Sequence, residues 1–328
     1  MKFSAGIVAI ALAAVAPQAF AQAASTGSGQ AYPTKPVRAI IAFPPGSGID
    51  ITGRVIVTKV SELWGQQVVA DNRGGAGGSI ASALAAKSAP DGYTLLVNSS
   101  AHVVNPSAFA KLPYDTVQDF IDIMPLVGQP NVLIVHPSSK LKAVADLLAE
   151  ARARPGKINF AIAGIGSGTH LNTEKFKLAS RIEVTIVTYK GTAEAIIDVV
   201  GGRVDTYFAP ISAALPFVQS GKVRALAVTT AKRAAQLREV PTVAEAGLPG
   251  FEFVLWFGLW GPTGIPAPIV NKIHTDFNRA LADPAVREKL IVLGNEAITM
   301  TPAQFRKYVR DQIAETATIF KAAGIKPQ

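Results

Sequence analysis

The 328-residue sequence contains no cysteine. That excludes a disulfide scaffold, an iron–sulfur cluster and a thiolate zinc site. Charged residues are sparse at 17%, but hydrophobic residues reach 49%, so the chain has ample material for a core and is not a disordered one. The four histidines, His102, His136, His170 and His274, are isolated. None stands in a His-x-x-x-His or Glu-x-x-His spacing, so no metal site is expected. Long apolar runs are missing beyond the N-terminal segment. Residues 252–261 (EFVLWFGLWG) are apolar, but they are short and broken by Gly. The formal charge is +9, yet the basic residues are scattered, and the densest group is only Lys232, Arg233 and Arg238. That pattern argues against a nucleic-acid partner. It suits a basic surface that draws small anions toward a cleft.

What is present begins with an address. Met1–Lys2 give a positive start, Ile7 to Val15 a short apolar run, and Ala19-Phe20-Ala21 small residues ahead of Gln22. This pattern predicts a signal peptide over residues 1–21, cleaved after Ala21, and so a secreted, periplasmic protein. Without a cysteine there is no lipid anchor. Removing Lys2 leaves a mature charge of +9 minus 1, or +8. Residues 22–33 read as a flexible leader.

The mature chain alternates strand-like and helix-like segments. Val37–Phe43 is a buried strand, Asp50–Trp64 a helix, Gln67–Ala70 a strand, Ser79–Lys87 a helix and Tyr93–Asn98 a strand. The theme returns from Val132 to Thr229, with strands at Val132–Val135, Ile158–Ala163, Val184–Tyr189, Val204–Phe208 and Val223–Thr229 and helices between them. The passage punctuated by Pro241, Pro249, Pro262, Pro266 and Pro268 reads as loop-rich. Two helices close the chain, and the last starts from a capping box at Thr301-Pro302-Ala303-Gln304. The expected fold is α/β with two lobes, each with an open mixed or parallel sheet. Lobe 1 takes residues 34–125 with 233–328 and lobe 2 takes 126–232, with hinges near Val127–Val135 and Val228–Lys232.

Two strand–turn–helix junctions stand out: Phe43-Pro44-Pro45-Gly46-Ser47-Gly48-Ile49-Asp50 and Ala163-Gly164-Ile165-Gly166-Ser167-Gly168-Thr169-His170. Such junctions present free backbone N–H groups and the positive end of a helix dipole, so an anion is the natural guest. Neither turn has the Lys of a phosphate loop, and neither completes Gly-x-Gly-x-x-Gly. Carboxylate is the remaining common small anion. A pair of turns, one in each expected lobe, points to a ligand held between the lobes.

Further segments stand in order with these turns: Asn72–Gly78 (NRGGAGG), Ala89–Leu95 (APDGYTL), Tyr189-Lys190-Gly191, Gly202–Asp205 (GRVD), Leu226–Lys232 (LAVTTAK), Glu239–Gly247 (EVPTVAEAG), Trp256–Gly261 and Ala322–Pro327 (AAGIKP). The set resembles the Bug, or tripartite tricarboxylate transporter, substrate-binding receptors over essentially the whole mature chain. The resemblance implies a two-lobed periplasmic protein that closes on a carboxylated solute, a di- or tricarboxylate, and delivers it to inner-membrane transporter subunits. It implies backbone donors from both turns, often helped by ordered waters, with no salt bridge to the ligand. Two departures stand out. Ile49 replaces a common hydroxyl donor, and Ala209 stands where the family often has Asp or Asn. The second departure, with the aromatics, suggests a less polar, aromatic or longer aliphatic ligand.

The candidate ligand-binding residues are Phe43, Gly46, Ser47, Gly48, Asp50, Gly166, Ser167, Thr169, His170, Tyr189 and Ala209. Asp50 opens a helix and reads as a cap before it reads as a ligand contact. Trp256, Phe257 and Trp260 read as packing. No cofactor and no catalytic residue is expected, and the chain is expected to be a monomer. The alternative is a secreted hydrolase of carboxylate esters, with Ser167 and His170 as nucleophile and base. The turn is not Gly-x-Ser-x-Gly, and residues three apart at a helix start project differently from an attacking pair.

Overall fold

The computed structural model describes Met1 and residues 32–328. The expected signal peptide, its cleavage site and nearly all of the leader lie outside these residues. β1 (Val37–Ile41), α1 (Gly48–Trp64), β2 (Val68–Asn72), α2 (Ser79–Ala86) and β3 (Thr94–Ser99) form the opening β-α-β-α-β unit. α3 (Ala101–Ala108) and the long β4 (Phe120–Val135) follow. Then come α4 (Val144–Ala153), β5 (Asn159–Ile162), α5 (Gly168–Ser180), β6 (Thr185–Thr188), α6 (Thr192–Val200), β7 (Thr206–Pro210), α7 (Ile211–Gln219) and β8 (Arg224–Val228). The chain ends with β9 (Val254–Pro262), α8 (Ala267–Ala282), α9 (Pro284–Val292), β10 (Glu296–Ala297) and α10 (Pro302–Ala322).

Strands pair in the order β2-β1-β3-β9-β4-β7-β5-β6, with β8 and β10 also on β4. The outer trios are parallel: β1 with β2 and β3, and β5 with β6 and β7. β9 joins β3 and β4 antiparallel, so the sheet is mixed. β4 changes partners along its length. Phe120–Pro130 pair with β9, and Asn131–Val135 pair with β7. The sequence predicted a strand only over Val132–Val135, but β4 runs back through Pro130, Gly128 and Pro125 to Phe120. The register shifts between Asp122 and Met124 and between Pro125 and Val127 accommodate that stretch. β9 also corrects the expectation of a loop-rich passage. It is a central strand, buried from Leu255 to Pro262.

Strand alternation divides β9 between two jobs. Trp256 and Trp260 are fully buried and meet Phe305 of α10 at ring distances of 5.8 and 5.4 Å. The Trp260 indole donates to Asp122 Oδ1 at 2.9 Å. Leu255 and Phe257 point to the opposite face. There the C-terminal ends of β1, β3, β5 and β7 turn into helices. Residues Pro33–Gln328 pack as one compact body around this arrangement.

Candidate functional site

Five helices open at one small cavity. Gly48 and Ile49 begin α1, Gly168 and Thr169 begin α5, Thr192 begins α6, Pro210 caps α7, and Ser99 precedes α3. Phe43, Ala163, Leu255 and Phe257 add apolar wall, and Ser47 and Ser167 stand at the two glycine turns. No lining side chain is charged. The cavity measures about 20 Å³, little more than one water needs. Converging helix N-termini make it electropositive without a cation.

Each turn is built from its own chain. The Ser47 hydroxyl accepts from Asp50 N at 3.4 Å, and the Ser167 hydroxyl accepts from His170 N at 3.1 Å. The fourth residue after each leading glycine takes that glycine's N–H. Asp50 Oδ2 accepts from Gly46 N at 2.9 Å, and His170 Nδ1 accepts from Gly166 N at 3.3 Å. Arg54 Nε and Asn72 Nδ2 hold the other Asp50 oxygen at 2.7 and 2.9 Å. Thr169 Oγ1 accepts from Ala163 N at 3.0 Å, tying helix to strand. Among the described residues, the N–H groups of Gly48, Ile49, Gly168 and Thr169 have no hydrogen-bond acceptor. They are the first two donors of each helix, the ones a bound anion would take.

The walls press together across the cavity. A β-carbon on Gly48 would sit 2.7 Å from Ser212 Oγ and 2.9 Å from Pro210 Cβ. One on Gly168 would sit 2.5 Å from Ser100 Oγ and Leu255 Cδ1. The Ser100 and Ser212 hydroxyls are buried and have no partner.

Five of the residues singled out by sequence line the cavity: Phe43, Ser47, Gly48, Ser167 and Thr169. The other six stand behind or beside it. Gly46 and Gly166 form the turns without facing in. Asp50 and His170 are spent on those turns. The His170 ring packs edge-on to Phe320 of α10 at 5.1 Å, and burial plus the Lys177 charge lower its pKa to about 4. Tyr189 donates its hydroxyl to Asp198 Oδ2 at 2.8 Å, on α6. Its phenol is pushed up to about 12 by burial and that carboxylate. Ala209 is fully buried in β7 and does not line the cavity, whereas its neighbour Pro210 does. Ile49, Ser99, Ala163, Gly168, Thr192, Pro210, Leu255 and Phe257 complete the lining. Gly168 and Thr192 carried a sequence signal, since both open a helix after a turn. Leu255 and Phe257 lay in the apolar segment whose strand went unread.

The hydrolase alternative lacks its geometry. Ser167 Oγ contacts the backbone N of His170 and Thr169 Oγ1 at 3.0 Å, while the His170 ring bonds Gly166 N. No imidazole is placed to take the Ser167 proton. A larger cavity of about 550 Å³ lies elsewhere, between Gly128–Pro130, Thr230–Gln236 and Gly294–Ile298. No α-helix opens into it, and Lys232, Arg233, Glu252 and Glu296 give it mixed charge. It lacks what makes the smaller cavity an anion site. Among the described residues there is no metal-binding cluster, and no helix is long and apolar enough to cross a membrane.

The fold agrees with known proteins. The tripartite tricarboxylate transporter family receptor profile matches residues 52–325. Protein BugT of Bordetella pertussis is 36% identical over 301 residues, 91% of this chain and 92% of that one. Rpa4515 of R. palustris, solved with adipate, is 36% identical with a TM-score of 0.87, over 90% of this chain and 100% of that one. MatC of Rhodopseudomonas palustris, solved with bound malate, is 30% identical with a TM-score of 0.83, over 88% and 99% of the two chains. The matching family is one of transporter receptors, not of enzymes. The chain belongs to the tripartite tricarboxylate transporter receptor family, the Bug proteins.

Proposed function

We propose that this chain is a periplasmic receptor that closes two lobes on a small dicarboxylate and hands it to inner-membrane transporter subunits. The observation that carries the reading is the convergence of helix N-termini on a cavity without a charged side chain. Free N–H groups and aligned dipoles suit a carboxylate, and they need no partner cation.

The proposed lobes are residues 34–125 with 233–328 and residues 126–232, a division that the change of partners along β4 supports. β4 and the segment after β8 cross between them as hinge. A diacid is far larger than about 20 Å³, so entry requires the lobes to part, and closure then brings both turns onto the ligand. The Gly48, Ile49, Gly168 and Thr169 N–H groups, with the Ser47 and Ser167 hydroxyls, supply the donors. Phe43, Leu255, Phe257 and Pro210 cover the carbon chain. The malate and adipate seen in MatC and Rpa4515 belong to this chemical class. The apolar walls favour a chain without extra polar groups. Export, with cleavage after Ala21, and a monomeric state belong to the same reading.

A thermal-shift screen across mono-, di- and tricarboxylates, followed by solution scattering, tests it. The cognate diacid raises the melting temperature and lowers the radius of gyration. At a hundredfold excess over Kd the stabilisation is about 2.7 kcal/mol. A tight ligand that changes neither quantity contradicts the reading.

A further inference from the structure

We propose that Asn105 is a positioning residue that fastens the second glycine turn to the first lobe when the receptor closes. The inference rests on the closing-receptor reading and adds a residue to it. Asn105 is in α3 and fully buried. Its Nδ2 donates to Gly166 O at 3.1 Å and to Gly77 O at 3.2 Å. Its Oδ1 accepts from the Tyr114 hydroxyl at 2.8 Å. Both carbonyls can only accept, so the amide orientation is fixed by its surroundings.

Gly77 and Tyr114 lie in the proposed first lobe with Asn105. Gly166 lies in the second, in the turn that opens α5. One amide therefore joins a carbonyl from each lobe. The backbones approach closely enough to need glycine. A β-carbon on Gly77 would sit 2.0 Å from Ile165 O, and one on Gly166 would sit 2.7 Å from Asn105 Nδ2. The Gly166 peptide groups are thus held from both sides. His170 takes the N–H from within the turn, and Asn105 takes the C=O from across the cleft.

This geometry gives Asn105 a role in the closed form that it cannot have in an open one. With the lobes apart, the Gly166 carbonyl turns to water and Asn105 keeps Gly77 and Tyr114. Losing the cross-cleft bond destabilises the closed state alone. It also leaves a buried carbonyl unpaired there, which adds to the loss. The effect belongs in the rate at which ligand leaves, since a closed receptor must open first.

The test uses Asn105→Ala with adipate as probe, and the diacids of the screen beside it. The cysteine-free chain also accepts a dye pair at exposed Lys87→Cys and Lys157→Cys to report closure. The expected result is a ligand dissociation rate raised about five- to a hundredfold. Association stays near the parent's, while the unliganded melting temperature falls somewhat, because the Gly77 carbonyl and the Tyr114 hydroxyl lose their partner in the open form too. A residue needed only to pack α3 would lower the unliganded melting temperature but leave the release rate alone. That outcome, or an unchanged release rate, overturns the proposal. Gly77→Ala probes the same contact from its other side if Asn105→Ala does not fold, and it should speed release likewise. A parent protein that closes on no carboxylate overturns the receptor reading itself, and the fastening with it.

Discussion

Ser47 and Ser167 hold the same backbone conformation on opposite walls of one cavity, with φ −72°, ψ 156° and φ −75°, ψ 162°. Each follows a glycine in the left-handed region, Gly46 at φ 77° and Gly166 at φ 78°. Each precedes a glycine that begins a helix. The two turns are one local solution used twice, with different residues closing it. Asp50 anchors the first, and neutral His170 the second.

The two serines should differ in how much fold stability they carry. Ser167 makes the shorter cap and an added contact to Thr169, while the Ser47 cap is long at 3.4 Å. Ser167→Ala is expected to cost about 1 kcal/mol of unliganded stability. It should also weaken carboxylate binding by about 1–3 kcal/mol. Ser47→Ala should affect stability less. Paired urea unfolding and calorimetric titration check both. Parent-like affinity in both variants would reduce the hydroxyls to caps.

Gly48 and Gly168 give a sharper test of closure. Neither has a positive φ, so alanine there carries no backbone strain. Each alanine methyl instead meets atoms of the other proposed lobe: Ser212 and Pro210 for Gly48, Ser100 and Leu255 for Gly168. Gly48→Ala and Gly168→Ala should each fold with a melting temperature near the parent's in the unliganded, opened form. Affinity should fall at least about tenfold, since a contact below 3 Å forces the walls apart and costs more than about 1.4 kcal/mol. Scattering should show a larger radius of gyration at saturating ligand. Compaction equal to the parent's would mean that these contacts are not made on closing.

Much of this was legible in the chain itself. The glycine turns were readable because helix entry imposes a local chemistry, with Ser at the cap and glycine where φ is positive. The β-α alternation was readable because buried parallel strands are continuous apolar runs. β9 was not, because Gly258, Gly261 and flanking prolines hide a strand that is specified by its neighbours β3 and β4. Which residue of β7 reaches the cavity was also hidden. Ala209 stands out by the residue the family often has there, but the cavity takes its neighbour Pro210. The roles of Asp50 and His170 depend on side-chain rotamers, which spacing does not determine. The Asn105 contact joins residues 61 apart in sequence and has no local signature.

His170 should make stability depend on pH in a defined window. Its folded pKa is lowered to about 4 from 6.5, so protons bind the unfolded chain first. Its contribution is therefore complete above pH 6.5 and is lost as pH falls toward 4. Buried His102, lowered to about 3, acts in the same direction. His170→Gln removes one of these protons. The gap in unfolding free energy between parent and variant should shrink by about 3 kcal/mol from pH 7 to pH 4. Urea unfolding at several pH values measures it. Parallel curves for the two proteins would show that His170 is protonated equally in both states.

The absence of a charged side chain from the cavity sets the salt dependence of binding. Helix dipoles and N–H groups buried against a carboxylate are poorly screened by ions. The formal charge of +9 still attracts a dianion from a distance, and that attraction is screened. Rising ionic strength should therefore slow association and leave dissociation nearly unchanged. Stopped-flow binding of adipate from about 0.05 to 0.5 M salt, where the Debye length falls to a few ångströms, separates the two rates. A dissociation rate that climbs steeply with salt would require a salt bridge to the ligand. Dimethyl adipate provides the complementary control. It keeps the carbon chain but removes the charge, leaving Gly48, Ile49, Gly168 and Thr169 to bond weaker acceptors. Charge-assisted hydrogen bonds are roughly twice as strong as neutral ones, so the ester should produce no thermal shift at concentrations where the acid saturates. An ester that binds as well as its acid would place the affinity in the apolar walls and not at the helix N-termini.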